Sequence, residues 1–249
     1  MTRSSLPSIG PALEHGVVDV WWGSPVVPAS AAPETLLDTH ERTRAARFAS
    51  DADRFRFVAT HVMQRIVLGN YLGVAPERLR FNHGRHGKPA LATDQHAPCP
   101  AFNLSHSGNT IVLAVGAVEA VGVDVEELRT DVDVLAVGRL VFNAAELAAL
   151  AATAAAVRHA RFFEIWVRKE ALLKAMGAGF SAEPKSVSTG VGGGGPGTGG
   201  AGVVPADVPG QETRWGVRDL AAPDGCRAAI AAPGVNWSVR VFHHRWACP

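Results

Sequence analysis

Residues 110–126 read TIVLAVGAVEAVGVDVE, and their reading decides the fold. Thr110–Val118 is an unbroken apolar run of strand length, and Val121–Glu126 alternates apolar and other residues with a period of two. The sequence therefore predicts two strands, expected to pair antiparallel across the short turn between them. Outward in both directions, each half supplies further strands and one long amphipathic helix. Upstream, Val17–Trp22 reads as a first strand and Pro33–Phe48 as a polar helix. Asp51–Leu72 is the strongest helix of that half, stopped by Gly73. Short strands are expected at Leu79–Asn82 and around Ala90, joined by the turn GRHGKP. Downstream come helices at Asp133–Val141, Ala144–Ala156 and Arg158–Met176. Strands are expected at Lys185–Ser188, Trp215–Leu220, Arg227–Ala231 and Trp237–Phe242. The predicted architecture is α+β, with two similar lobes, 1–119 and 120–249. Residues 1–16 read as a loose arm and 190–210 as a flexible Gly/Pro-rich loop.

The bulk properties exclude several classes. With 24 basic against 23 acidic residues, net charge +1, nothing favours bulk attraction to nucleic acid or membrane. Three scattered cysteines, Cys99, Cys226 and Cys248, make neither a disulfide framework nor a cysteine zinc site. The first residues lack an apolar signal core, and no stretch nears the roughly 20 apolar residues a membrane span needs. A cytoplasmic protein is expected. The glycine-rich run lacks the lysine and following helix of a phosphate-binding P-loop.

The residues that carry chemistry fall into a few groups. Asp124 and Glu126 lie two apart on a strand, so both carboxylates project from one face. Their repulsion calls for a cation, and a hard ion such as Mg²⁺ takes one or two carboxylates plus phosphate oxygens; a solvated strand face is the alternative. In FFEIWVRKEALLKAMGAGF, Glu170 and Lys174 sit four apart on one helix face. They read either as an exposed ion pair or as a third metal carboxylate with a phosphate-binding lysine. The loop FNLSHSGN offers Asn103, Ser105, His106 and Ser107, which suit phosphate oxygens or form a plain polar turn. Ser105 is in no nucleophile elbow, so a Ser-His-Asp hydrolase fits poorly. Lys88 and the basic run Arg42, Arg44, Arg47, Arg54 and Arg56 complete the set.

In this order the pieces resemble the Sfp-type 4′-phosphopantetheinyl transferases, over about Arg44 to Phe180. The resemblance rests on Gly87-Lys88-Pro89, Asn103-Leu104-Ser105-His106-Ser107, Val121-Gly122-Val123-Asp124-Val125-Glu126 and Trp166 to Gly179. Phe142 and Glu146 match the turn before that helix. It implies a pseudo-twofold monomer, each lobe a small, mainly antiparallel sheet on a long helix, with coenzyme A in the cleft. It implies Mg²⁺, or Mn²⁺ in its place, on Asp124, Glu126 and Glu170. Lys174 and His106 would contact phosphates and, with Glu170, form the catalytic set. Arg56, Lys88 and Ser105, with Arg44 and Arg47, would hold the adenosine 3′-phosphate end. The implied reaction moves phosphopantetheine from coenzyme A to a serine of an apo acyl or peptidyl carrier protein, releasing 3′,5′-ADP. Two other readings stand beside it: a Mg²⁺-dependent nucleotide phosphotransferase or pyrophosphatase using the same carboxylates, and a non-catalytic coenzyme A or carrier-binding protein, which would tolerate loss of Asp124 or Glu170.

Overall fold

The computed structural model describes residues 11–27, 32–84, 87–92, 99–177, 183–190, 202–210 and 212–246. It is built in four layers: a long helix, a sheet, a second sheet and a second long helix. The first sheet has the order β10-β1-β5-β4, with β1 Val17–Gly23, β4 Ala101–Ser107, β5 Thr110–Gly116 and β10 Ser238–His243. The second has the order β6-β9-β8-β7, with β6 Gly122–Glu127, β7 Val204–Ala206, β8 Trp215–Leu220 and β9 Cys226–Pro233. A small hairpin, β2 Phe81–His83 and β3 Pro89–Leu91, stands apart. The helices are α1 Thr39–Ala45, α2 Asp51–Leu72, α3 Val134–Val141, α4 Ala144–Ala152 and α5 Ala155–Met176.

The apolar run of β5 is explained by burial on both faces. Val112 and Ala114 meet the second sheet through Val123, Val125 and Ile230. Ile111, Leu113 and Val115 pack with Ala59, Met63 and Val67 of α2. Strand β9 does the same: Ala228, Ile230 and Ala232 face the first sheet, while Ala229 and Ala231 lie under Val167, Ala171 and Leu172 of α5. Small residues there let α5 sit close. At Gly122 the approach is closest of all, because a Cβ would run into the Ala171 carbonyl and the Ala175 backbone.

The two lobes repeat one topology. In the first, β1 pairs with β5 and β5 with β4, all antiparallel; in the second, β6 pairs with β9 and β9 with β8 in the same way. Each lobe packs one 22-residue helix on its sheet, and both helices end in a left-handed glycine, Gly73 and Gly177.

Several expectations need correcting. Strands β5 and β6 do not pair; they belong to different sheets, and the link between them carries the chain across. The Asn103–Ser107 segment is strand β4 rather than a loop. The polar helix splits into a 3₁₀ turn, Pro33–Leu36, and α1, which starts anew at an Asp38 capping box. Pro184–Ser186 is a 3₁₀ turn, with only a single bridge from Ser188 to Asp207. Within the expected flexible loop, Val204–Ala206 forms β7, while 191–201 lie outside the described residues. The last strand crosses the expected lobe boundary: β10 pairs parallel with β1 in the first sheet. Arg240 secures it, with Nε donating to Asp19 at 2.7 Å and a second nitrogen donating to the Ala12 carbonyl at 2.9 Å. The expected loose arm is thus fastened from Ala12 onward.

Candidate active site

Strand alternation places Val123 and Val125 in the core and leaves Asp124 and Glu126 on the opposite face. There α5 brings Glu170 and Lys174, and β4 brings Ser105 and His106. Asp124, Glu126, Glu170, Lys174, Ser105, His106, Trp166 and Leu104 line one open cavity of about 330 Å³. The sequence-predicted metal and catalytic residues are therefore brought together from three separate elements.

The polar residues of β4 fall on alternate positions and stitch it to β6. Asn103 accepts from the Val123 N–H at 2.8 Å, Ser105 Oγ donates to Asp124 Oδ1 at 2.8 Å, and Ser107 Oγ donates to Glu126 Oε2 at 2.8 Å. Two sheet edges are thus joined by side chains where no backbone ladder runs. Lys174 Nζ donates to Asp124 Oδ1 at 2.6 Å and to Ser105 Oγ at 3.0 Å.

Charge in this cavity is crowded. Burial holds Glu170 above the ordinary carboxylate range, and Asp124 and Glu126 add to the shift while Lys174 opposes it. Glu126 is also raised, first by burial, against a hydrogen bond from Ser107. Among the described residues no three acidic, histidine or cysteine side chains are already drawn into a closed ligand set. Asp124 Oδ2, however, is buried with no hydrogen-bond partner among them. An orphaned carboxylate oxygen beside two more carboxylates, all hard oxygen donors, fits a divalent cation of the magnesium type.

A second, more enclosed cavity of about 200 Å³ adjoins the first and shares Leu104 and His106 with it. Arg44, His40, His61, Thr60 and Gln64 are among its other walls. Arg44 lies over the Phe57 ring at 5.3 Å, and His61 stacks on the same ring at 3.9 Å. His61 Nδ1 is 2.9 Å from the Phe57 carbonyl, which can only accept, so Nδ1 carries the proton. Burial pushes His61 down to about 4, leaving it neutral. Desolvation, then Lys174, Arg56 and Arg44, push His106 down too. The wall also carries Asp38 and Glu41, both paired with the buried Arg65, and the Thr60 hydroxyl, fully buried, has no partner among the described residues.

The remaining predicted residues are distributed unevenly. Arg44 lines the second cavity. Arg56 pairs with Asp53 one turn away but acts electrostatically on His106. Arg47 is exposed and lines neither cavity. Ser105 is committed to Asp124 and Lys174, away from the arginines. Lys88 reaches the end of α5 instead of either cavity: its Nζ donates to the carbonyls of Lys174 at 2.6 Å and Val121 at 2.9 Å. Gly179 and Phe180 lie outside the described residues. Thr60, His61 and Gln64 escaped the sequence reading. Their signal was a polar cluster at positions 60, 61 and 64 in the stretch between Phe57 and Leu72 that otherwise supplies most of the apolar face.

Comparison with known proteins agrees with this geometry. Residues 120–197 match the family model of the 4′-phosphopantetheinyl transferase superfamily, and residues 23–118 match that of a 4′-phosphopantetheinyl transferase N-terminal region. The chain is 32% identical over 219 residues to the 4′-phosphopantetheinyl transferase HetI of Nostoc sp. (strain PCC 7120), covering 84% of this chain and 83% of that protein. It is 33% identical over 146 residues to the 4′-phosphopantetheinyl transferase psf-1 of Bacillus pumilus, 59% of this chain and 60% of that one. With AcpT of Salmonella typhimurium, also a 4′-phosphopantetheinyl transferase, it shares 36% over 120 residues, 48% and 59% of the two chains. The chain belongs to the 4′-phosphopantetheinyl transferase family and is an enzyme of that class. Among the described residues no helix is long and apolar enough to cross a membrane.

Proposed function

We propose that this enzyme takes the 4′-phosphopantetheine group from coenzyme A and places it on a serine of an acyl or peptidyl carrier protein, releasing 3′,5′-ADP. The observation that carries the reading is the meeting of Asp124, Glu126, Glu170 and Lys174 on one cavity, with Asp124 Oδ2 unsatisfied. Asp124, Glu126 and Glu170 would hold Mg²⁺, or Mn²⁺, which when bound neutralises a diphosphate and the charge developing on it. The neighbouring cavity, with Arg44 and His106 on its wall and its two carboxylates paired to Arg65, would take the 3′-phosphate end of the donor. His106 borders both cavities and would touch the donor between its two phosphate groups.

The carrier's serine oxygen attacks the phosphorus bearing the pantetheine arm, and the bond from that phosphorus to the bridging oxygen of ADP breaks. The serine proton needs an acceptor. Glu170 is one candidate acceptor; because a carboxylate that holds a cation loses basicity, a water in the same cavity is the other. Lys174, at the mouth of the same cavity, meets the negative charge that gathers on the leaving phosphate. The carrier would approach over α3, where Leu140 is 73% exposed beside exposed Arg139, with Arg129 nearby in sequence. Val134 of the same helix is buried and takes no part.

Incubation with coenzyme A, Mg²⁺ and apo carriers should add one phosphopantetheine mass to the carrier and liberate 3′,5′-ADP. Asp124→Ala should lose magnesium dependence and activity together. Full activity in EDTA would remove the metal from this account. Free phosphate as the product would favour a nucleotide hydrolase instead.

A further inference from the structure

We infer that Lys88 is a positioning residue, which fixes the end of α5 and the start of β6 relative to the first lobe, and is not a ligand of the donor's phosphates. The inference builds on the reading of Lys174 as the phosphate-facing cation.

The geometry is specific. Lys88 sits between Gly87, whose φ of +80° is open to glycine, and Pro89, the first residue of β3. Its stem leaves the hairpin of the first lobe and crosses to the second. There Nζ donates to the carbonyls of Lys174 at 2.6 Å, Val121 at 2.9 Å and Ala175 at 3.3 Å. An ammonium has three N–H groups, and here all three have acceptors. Two of those acceptors belong to the last turn of α5, where the Lys174 carbonyl also takes the capping Gly177 N–H at 3.2 Å. A cation at this end also meets the negative pole of the helix dipole. Gly177, the left-handed glycine that closes α5, lies beside the stem: a Cβ there would make ordinary contact with Lys88 Cδ at 3.9 Å.

One ammonium therefore ties three elements together at a single point. The tie has a direct chemical consequence. Lys174 is gripped at both ends, its carbonyl by Lys88 and its own ammonium by Asp124 Oδ1 at 2.6 Å. Val121 precedes Gly122, where β6 and α5 touch backbone to backbone, and Asp124 follows two residues later. Loosening Lys88 would let the end of α5 shift against β6, and Lys174 would lose its alignment with the carboxylates. A lysine that instead bound phosphate would have to abandon all three carbonyls, leaving the last turn of α5 to its Gly177 cap alone.

The test uses the full chain and the variant Lys88→Met, which keeps the stem and removes the donors, with Lys88→Gln as a second variant that keeps one donor group. With coenzyme A and an apo carrier, Lys88→Met should lower kcat by about tenfold or more, the worth of charge-assisted hydrogen bonds, and leave KM for coenzyme A within about twofold. Lys88→Gln should fall between. In a Lys174→Met background, Lys88→Met should change the rate by less than about twofold, because its effect passes through Lys174. Amide hydrogen exchange at Ala175–Gly177 should be faster in Lys88→Met than in the unaltered enzyme, and this readout needs no donor at all. Three results would each overturn the inference: a tenfold rise in KM for coenzyme A with kcat retained, full multiplicative loss with Lys174→Met, or unchanged exchange at the end of α5. If the unaltered enzyme fails to use coenzyme A while exchange accelerates as expected, the donor assignment fails and the positioning role stands.

Discussion

The two long helices are held by the same device, and they differ in what stands beside it. In the first lobe, Arg65 of α2 is fully buried and donates to Glu41 and Asp38, each at 2.7 Å. Glu41 and Asp38 form the capping box of α1. The same guanidinium donates to the carbonyls of Pro76 and Leu79, the first residue of a 3₁₀ turn and the residue that caps its end. In the second lobe, Lys169 of α5 is 2% exposed and pairs with Glu146 at 2.8 Å. Glu146 belongs to the capping box of α4. Lys169 donates to the carbonyls of Pro184 at 2.7 Å and Val187 at 2.6 Å, again the start and the end cap of a 3₁₀ turn. One residue after the buried cation, and five after it, the lobes part: Ile66 and Asn70 on α2, Glu170 and Lys174 on α5. The buried cation is thus scaffolding, which sets where a helix lies and how it is rotated. The carboxylate and the lysine that line the first cavity stand on one of the two helices only.

The largest effect should come from breaking the shared device. Arg65→Met and Lys169→Met each leave a buried glutamate without its counter-charge, which costs about 3–5 kcal/mol. Urea unfolding should show similar losses in both variants. Replacing both members of a pair, as in Lys169→Met with Glu146→Leu, should recover much of the loss, because no charge is then stranded. A cost above about 3 kcal/mol in one lobe and below about 1 kcal/mol in the other would end the equivalence.

Next in size is the difference between the lobes. Glu170→Gln should reduce kcat by roughly 10²–10³, or about 3–4 kcal/mol, while coenzyme A still binds. Ile66→Gln, at the matching place on α2, should leave the rate within about twofold. Near-normal carrier modification by Glu170→Gln would remove that residue from catalysis.

Much of the second lobe's site was legible in the sequence because its logic is local. A period of two puts Asp124 and Glu126 on one face, and a spacing of four does the same for Glu170 and Lys174. Residues 51–72 were legible as a helix to the residue, since Ser50 caps one end and Gly73 the other. What escaped depends on long-range pairing. The strand nature of Asn103–Ser107 hides behind turn-forming residue types, whose polar side chains are used up bonding β6. No local pattern says that β10 returns to β1, because that register is fixed by Arg240 meeting Asp19 across 221 residues. Lys88 illustrates the same limit: its place in the sequence suggested a phosphate ligand, and its partners are carbonyls 33, 86 and 87 residues away.

The smallest expected effect sharpens the comparison at one more pair of positions, His61 on α2 and Ile165 on α5, each four residues before its buried cation. Ile165 is fully buried in the core, whereas His61 borders the second cavity and is neutral there. Its folded pKa of about 4 lies below the ordinary imidazole value of 6.5, so the unfolded chain binds the extra proton between those values. Stability should therefore be intact above pH 6.5 and decline as the pH falls toward 4, with His61 contributing roughly 2–3 kcal/mol of that decline. His61→Gln cannot take the proton, and its amide can still donate to the Phe57 carbonyl. Urea unfolding at pH 7 and at pH 4.5 should show a smaller drop for the variant, since every other titrating group is common to both proteins. Equal drops would mean that His61 is charged in the folded state, with its ring paired to an acid such as Asp38 or Glu41 on the cavity wall. The first lobe would then use its extra polarity to balance charge within itself, and the cavity would be a weaker seat for a phosphate.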